Sequence, residues 1–209
     1  MYELIIFDVD GTMIDTEDAV KKSYRYAVRE ELGRDLADEE ILQIFGIPTL
    51  QALEALGSKE IQKSSERYFE SLFKHYREGM PVYKGIKEVL EELDRRGARC
   101  GIVTSRNRGE VSNDTSLNSL LKYFRYVITA EDTTRHKPDA EPVLKLLDIS
   151  GVKPSGVLYI GDTHFDYFCA KNAGVEFALA LWGAKSSEGM EPDHMLESPL
   201  DLLKILDQG

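Results

Sequence analysis

Two aspartates, Asp8 and Asp10, stand directly behind an apolar run, Leu4-Ile5-Ile6-Phe7, and immediately ahead of Gly11. The run predicts a fully buried strand. Residues i and i+2 of extended chain point the same way, so both carboxylates are expected to face one site at the strand's carboxyl end. Gly11 permits a tight turn and the close backbone approach that a bound phosphate or metal needs. In an open parallel sheet that edge is where ligands bind. Carboxylates placed there can attack as nucleophiles, carry protons or hold a hard cation. A surface turn would account for Asp and Gly as residue types, but it has no need of same-facing acids behind a buried strand.

The rest of the chain must supply a sheet to carry that edge, and its periodicity does so in two styles. Glu17 to Leu32 carries Val20, Tyr24, Ala27, Val28 and Leu32 at helical spacing, with Gly33 placed to cap it. A shorter helix is expected from Pro48 to Leu56, and a longer one from Lys59 to Arg77, through Ile61, Tyr68, Phe69, Leu72, Phe73 and Tyr76. The helical spacing of those aromatics predicts core packing, not a ligand platform. No strand-like run interrupts residues 17 to 78, which predicts an all-helical insertion. After Gly85 the pattern alternates: helix 86–96, strand 99–104, helix near 110–121, strand 126–129, helix 140–148, strand 157–161, helix 165–172 and strand 177–181. Ser198-Pro199-Leu200-Asp201 reads as the capping box of a last helix. The expected architecture is α/β, a doubly wound parallel sheet with right-handed crossovers, residues 1–15 and 83–209 forming a core and 16–82 a helical cap. Asp15 to Asp18 and Gly79 to Gly85 are the expected hinges.

Bulk properties narrow the function. The chain has 209 residues, 42% of them hydrophobic, and no apolar run near the roughly 18 that span a bilayer. Met-Tyr-Glu-Leu leads straight into a core strand, so no signal peptide is expected, and the cytoplasm is the expected compartment. Cys100 and Cys169 read as buried thiols, without disulfide or metal. The net charge of −11 disfavours nucleic acid as a partner. It also repels small phosphorylated molecules, so a phosphate site here requires local positive charge. A monomer or weak homodimer is expected.

Four stretches together resemble the haloacid dehalogenase superfamily of phosphotransferases. Asp8-Val9-Asp10-Gly11-Thr12 is similar to its first motif, Val103-Thr104-Ser105 to the second and His136-Lys137-Pro138 to the third. Leu158-Tyr159-Ile160-Gly161-Asp162-Thr163-His164-Phe165-Asp166, with Ala170-Lys171-Asn172-Ala173-Gly174, is similar to the fourth. The resemblance implies a Rossmann-like core with a helical cap of the family's first type. It also implies Mg²⁺ held by the Asp8 carboxylate, the Asp10 backbone carbonyl and the Asp162 carboxylate, with Asp8 as the nucleophile of an aspartyl-phosphate. Asp10 is then the general acid and base; relatives that cleave carbon–halogen or carbon–phosphorus bonds do not keep an Asp there, which favours phosphomonoester chemistry. Thr104, Ser105, Lys137 and Gly11 are the implied phosphate contacts. Asp166, four residues beyond Asp162 and so expected on the same helical face, would orient Lys137 or a metal-bound water.

The third motif departs from the family pattern, with His136 where Gly is common; it reads as a loop variation, the alternative being a contact to substrate that tunes pH dependence. His75, His164 and His194 lack metal-ligand spacing. The implied activity is Mg²⁺-dependent hydrolysis of small phosphorylated metabolites, as in phosphoglycolate phosphatases. A sugar-phosphate mutase similar to β-phosphoglucomutase shares the same motifs, and a phospho-accepting receiver domain shares residue types but not this layout. Selectivity is expected on the cap loop Gly46-Ile47-Pro48-Thr49, with Thr49 the candidate contact.

Overall fold

The computed structural model describes residues 2–44 and 49–207. Six parallel strands, β1 (Leu4–Phe7), β2 (Arg99–Val103), β3 (Tyr126–Ile128), β4 (Val157–Gly161), β5 (Glu176–Ala180) and β6 (His194–Leu196), form one sheet in the order β3-β2-β1-β4-β5-β6. β1 lies at the centre, with Leu4 in register with Arg99 on one side and Val157 on the other. Alternation divides its apolar residues between two cores. Ile5 and Phe7 join Ile102, Leu158 and Ile160 beneath α5 (Ile86–Arg95), whose Val89, Leu90 and Leu93 are buried there. Leu4 and Ile6 join Val103 and Tyr159 beneath α8 (Glu141–Ser150) and α9 (His164–Asn172). Both faces are covered, which is why the strands read as unbroken apolar runs.

Among the described residues, four helices lie between β1 and α5: α1 (Glu17–Leu32), α2 (Asp38–Leu42), α3 (Thr49–Ala55) and α4 (Ile61–Glu78). α1 runs along α4, α3 packs on α4, and the Tyr24 and Tyr68 rings meet at 4.5 Å. Tyr68 and Tyr76 are buried, and Phe69 and Phe73 pack partly buried against the same core, so the aromatic stripe is packing. Gly33 ends α1 in the left-handed conformation at φ 65°.

The structure adds three features to the expected pattern. α2 is only five residues long and buries Ile41, too short to carry a periodic signal. The helix expected near 110–121 is two, α6 (Arg108–Asn113) and α7 (Thr115–Leu120), because Asp114 turns its side chain back to accept from Ser116 N and Leu117 N at 2.9 and 3.0 Å. β6 is a three-residue edge strand held by pairing with β5, and α10 (Asp201–Leu206) follows it. Ser198 N donates 2.8 Å to the Asp201 carboxylate, so Ser198 to Leu200 form the turn ahead of that helix. Cys100 and Cys169 are buried free thiols, and burial pushes each up to about 12.

Candidate active site

The strand order reverses between β1 and β4, since the chain first builds outward through β2 and β3 and then returns to the other side of β1. The crevice above such a switch point is where an open sheet binds ligands. Asp8 follows β1 there and Asp162 follows β4, with Asp8 N donating 2.9 Å to Ile160 O. Asp8, Asp162 and Asp166 are all buried, and each offers an oxygen within 4.8 Å of the others. Lys137 comes from the segment between β3 and α8, and its Nζ donates 2.6 Å to Asp8 Oδ1 and 2.6 Å to Asp166 Oδ1. That ammonium lies 5.4 Å from the Tyr159 ring centroid.

Local structure holds each acid. Thr12 Oγ1 donates 3.0 Å to Asp162 Oδ1. Gly11 has φ 78°, and a Cβ there would collide with the Asp162 carboxylate, so both conformation and space require glycine. Asp166 is the third residue of α9: Thr163 N and Oγ1 donate to its Oδ2 at 3.1 and 2.6 Å, while the Tyr159 hydroxyl donates 2.9 Å to its Oδ1. A Cβ at Gly161 would lie 2.5 Å from Asp166 Cβ, so this approach also depends on a glycine. Asp162 and Asp166 do not share a helical face, contrary to the expectation from their spacing. Asp162 lies ahead of α9, and a capping box with the Lys137 bridge brings Asp166 to the cluster.

Three buried carboxylates face one ammonium, and the imbalance shows in their proton affinities. Burial pushes Asp8 up to about 7, with Lys137 opposing the shift and Asp166 and Asp10 adding to it. Asp162 is raised well above the ordinary carboxylate range by burial and by the charges of Asp166 and Asp8. Burial alone would raise Asp166 too, but the Lys137 ammonium and the hydrogen bonds from Lys137, Thr163 and Tyr159 hold it below that range. Such a surplus of buried oxygen ligands fits a divalent hard cation, which would neutralise it. Asp8 and Asp162 are the acids with spare oxygens, since Asp166 is engaged through both of its own.

This electrostatic surplus makes a prediction for the metal-free protein. With its folded value raised to about 7, Asp8 binds a proton in the folded state that the unfolded chain releases near pH 4. Stability through this group is therefore highest below about pH 4 and declines as the pH rises to about 7, and Asp162 acts in the same sense. Asp166, held low, and Lys137, held high, contribute nothing to this window. In chelator, the wild-type melting temperature should drop relative to Asp8→Asn between pH 5 and pH 8. Added Mg²⁺ should close that gap most at pH 8; a difference that stays constant with pH would contradict the assignment.

Asp10 does not join the three-acid cluster. β1 ends at Phe7, and Asp10 pairs with Ile14 in an isolated bridge. Its carboxylate accepts from Arg106 Nε at Oδ2 and from Arg106 Nη2 at Oδ1, both at 2.8 Å. Arg106 lies outside the motif residues named from the sequence, and its one local signal is an arginine two positions after Thr104, in Thr104-Ser105-Arg106. Thr104 is buried after β2, and its hydroxyl accepts from Arg106 N at 3.2 Å. Ser105 and His136 are exposed. Trp182, also unanticipated, donates through Nε1 to Thr12 O at 2.9 Å and braces the loop after β1. Thr49 is half-buried at the start of α3, where its hydroxyl meets Tyr24 inside the helical layer; Gly46 to Pro48 lie outside the described residues.

A family model for haloacid dehalogenase-like hydrolases matches residues 5–180, and the chain belongs to that family. It is 32% identical to the pyrophosphatase PpaX of Anoxybacillus flavithermus, over 97% of this chain and 95% of the relative. The pyrophosphatase PpaX of Bacillus velezensis is also 32% identical, with 96% and 94% covered. The crystal structure of a Lactobacillus plantarum protein provisionally named a phosphoglycolate phosphatase superposes with a TM-score of 0.87 at 29% identity, covering 98% of this chain and 99% of that one. The protein is thus a phosphatase of the haloacid dehalogenase-like family, with a buried acid cluster suited to a divalent cation. Among the described residues, no helix is long and apolar enough to cross a membrane.

Proposed function

We propose that this protein is a Mg²⁺-dependent hydrolase of small phosphorylated molecules that works through an aspartyl-phosphate on Asp8, with inorganic pyrophosphate as its leading substrate. The observation that carries the reading is the Lys137 bridge between Asp8 and Asp166 beside Asp162. It leaves Asp8 with one oxygen anchored and the other free, as a nucleophile needs. The names of relatives 30–32% identical over nearly the whole chain support pyrophosphate over a sugar phosphate, and hydrolysis over a mutase reaction.

In this reading the Asp8 oxygen bonds to phosphorus as the bond from phosphorus to the leaving oxygen breaks, and Asp10 gives that oxygen its proton. Water then attacks phosphorus, Asp10 takes the water's proton, and the bond to Asp8 breaks. Lys137 neutralises charge on the phosphoryl oxygens, and Thr104, Ser105 and the loop at Gly11 offer further donors. Asp166 keeps Lys137 in place. Asp8, Asp162 and the Asp10 carbonyl would hold Mg²⁺, which when bound offsets the negative charge gathered in the site. Residues 16–82 act as a cap over the core of 1–15 and 83–209, with Thr49 the candidate contact to the substrate beyond its phosphoryl group.

The test is phosphate release with Mg²⁺ from pyrophosphate, phosphoglycolate, a hexose phosphate and p-nitrophenyl phosphate. Pyrophosphate is expected to give the highest kcat/KM. Preference for an ester would overturn the substrate and keep the chemistry. Conversion of the hexose phosphate into an isomer without free phosphate would replace hydrolysis by the mutase reaction.

A further inference from the structure

Arg106 is the most completely enclosed cation of the site region, and each of its three guanidinium nitrogens donates to a carboxylate. Its side chain is 2% exposed, against 38% for Asp10 and 0% for Asp114. Nε and Nη2 grip the two oxygens of Asp10, while Nη1 donates 2.7 Å to Asp114 Oδ2. Each neighbour is fixed in its turn. The other oxygen of Asp114 caps α7, the hydroxyl of Thr104 fastens the Arg106 backbone, and the guanidinium carbon lies 4.5 Å from the centroid of the Tyr76 ring on α4. The Tyr76 hydroxyl donates 3.3 Å to Glu110, which belongs to the capping box of α6. A guanidinium fork that meets a carboxylate at two points fixes its plane as well as its position.

We propose that Arg106 is a positioning residue for Asp10, a rigid strut tied to Asp114 and Tyr76 that sets where the Asp10 carboxylate meets the reacting oxygens. The proposal rests on the reading of Asp10 as the proton carrier. Asp10 is on a turn beyond the end of β1, and its side chain has no place in the three-acid cluster, so its aim comes from the fork. The strut also joins α4 to the loops after β1 and β2, so the helical layer and the proton carrier share one support. Proton transfer falls steeply with misplacement: a shift of about 1 Å can cost about 100-fold.

The test uses Arg106→Lys, which keeps the charge and loses the fork, with p-nitrophenyl phosphate and Mg²⁺. Nitrophenolate leaves readily without a proton, whereas breakdown of the aspartyl-phosphate requires Asp10 to activate water. Arg106→Lys is therefore expected to lower steady-state kcat at least tenfold, to lower KM with it so that kcat/KM stays within about threefold, and to release a first-turnover burst of nitrophenolate near one per enzyme. In an Asp10→Asn background the same substitution should lower kcat by less than twofold more, because its effect passes through Asp10. Should Arg106→Lys unfold by circular dichroism, Arg106→Gln with Asp114→Asn removes the orphaned buried acid and is read the same way. A loss that remains in full in the Asp10→Asn background, or an unchanged kcat, would overturn the positioning role. If Asp10→Asn alone leaves the burst and the steady-state rate unchanged, the proton-carrier reading falls, and the strut falls with it.

Discussion

Asp8→Asn is expected to lower kcat at least about 10³-fold while leaving a folded protein. An amide at this position has no anionic oxygen to attack phosphorus, and its NH₂ faces either Lys137 or the cation. The fold should survive, because Lys137 keeps its 2.6 Å partner in Asp166 and the substitution removes one of three crowded buried acids. Steady-state kinetics on the preferred substrate, circular dichroism, and mass spectrometry of the protein quenched in turnover check the three parts. Wild type should carry an added phosphoryl group on Asp8 under quench and Asp8→Asn should carry none. Activity within a few-fold of wild type would remove Asp8 from the role.

Lys137→Met should be the most destabilising single change in the site. It deletes the ammonium shared by Asp8 and Asp166, whose side chains are 7% and 2% exposed, and leaves two acids buried without their cation. Breaking a buried pair by removing one partner costs about 3–5 kcal/mol, and methionine fills nearly the volume of the lysine stem, so the loss is one of charge. Chemical denaturation in chelator measures it. Lys137→Met with Asp166→Asn should regain a large part of that stability, since the stranded charge is gone, without regaining activity. A single variant as stable as wild type would mean that the bridge contributes nothing net. Recovery of activity in the double variant would mean that Lys137 serves only to hold Asp166.

What local pattern determined is extensive. The buried strand ahead of Asp8, the capping glycine after α1, the aromatic stripe of α4 and the βα alternation after Gly85 are short-range features, carried by side-chain period and backbone preference over a few residues. The family motifs supplied Asp8, Asp162 and Lys137, which the structure brings to one cluster with Asp166. Tertiary structure decided the rest, where competing partners lie far apart along the chain. Asp10 and Arg106 are separated by 96 positions, and no periodicity records that a guanidinium fork captures the second aspartate. Asp114 breaks a helix that propensity alone would continue, because its carboxylate is needed at once by the α7 amides and by Arg106. β6 exists because β5 offers an unpaired edge, and three residues are too few to announce a strand by themselves.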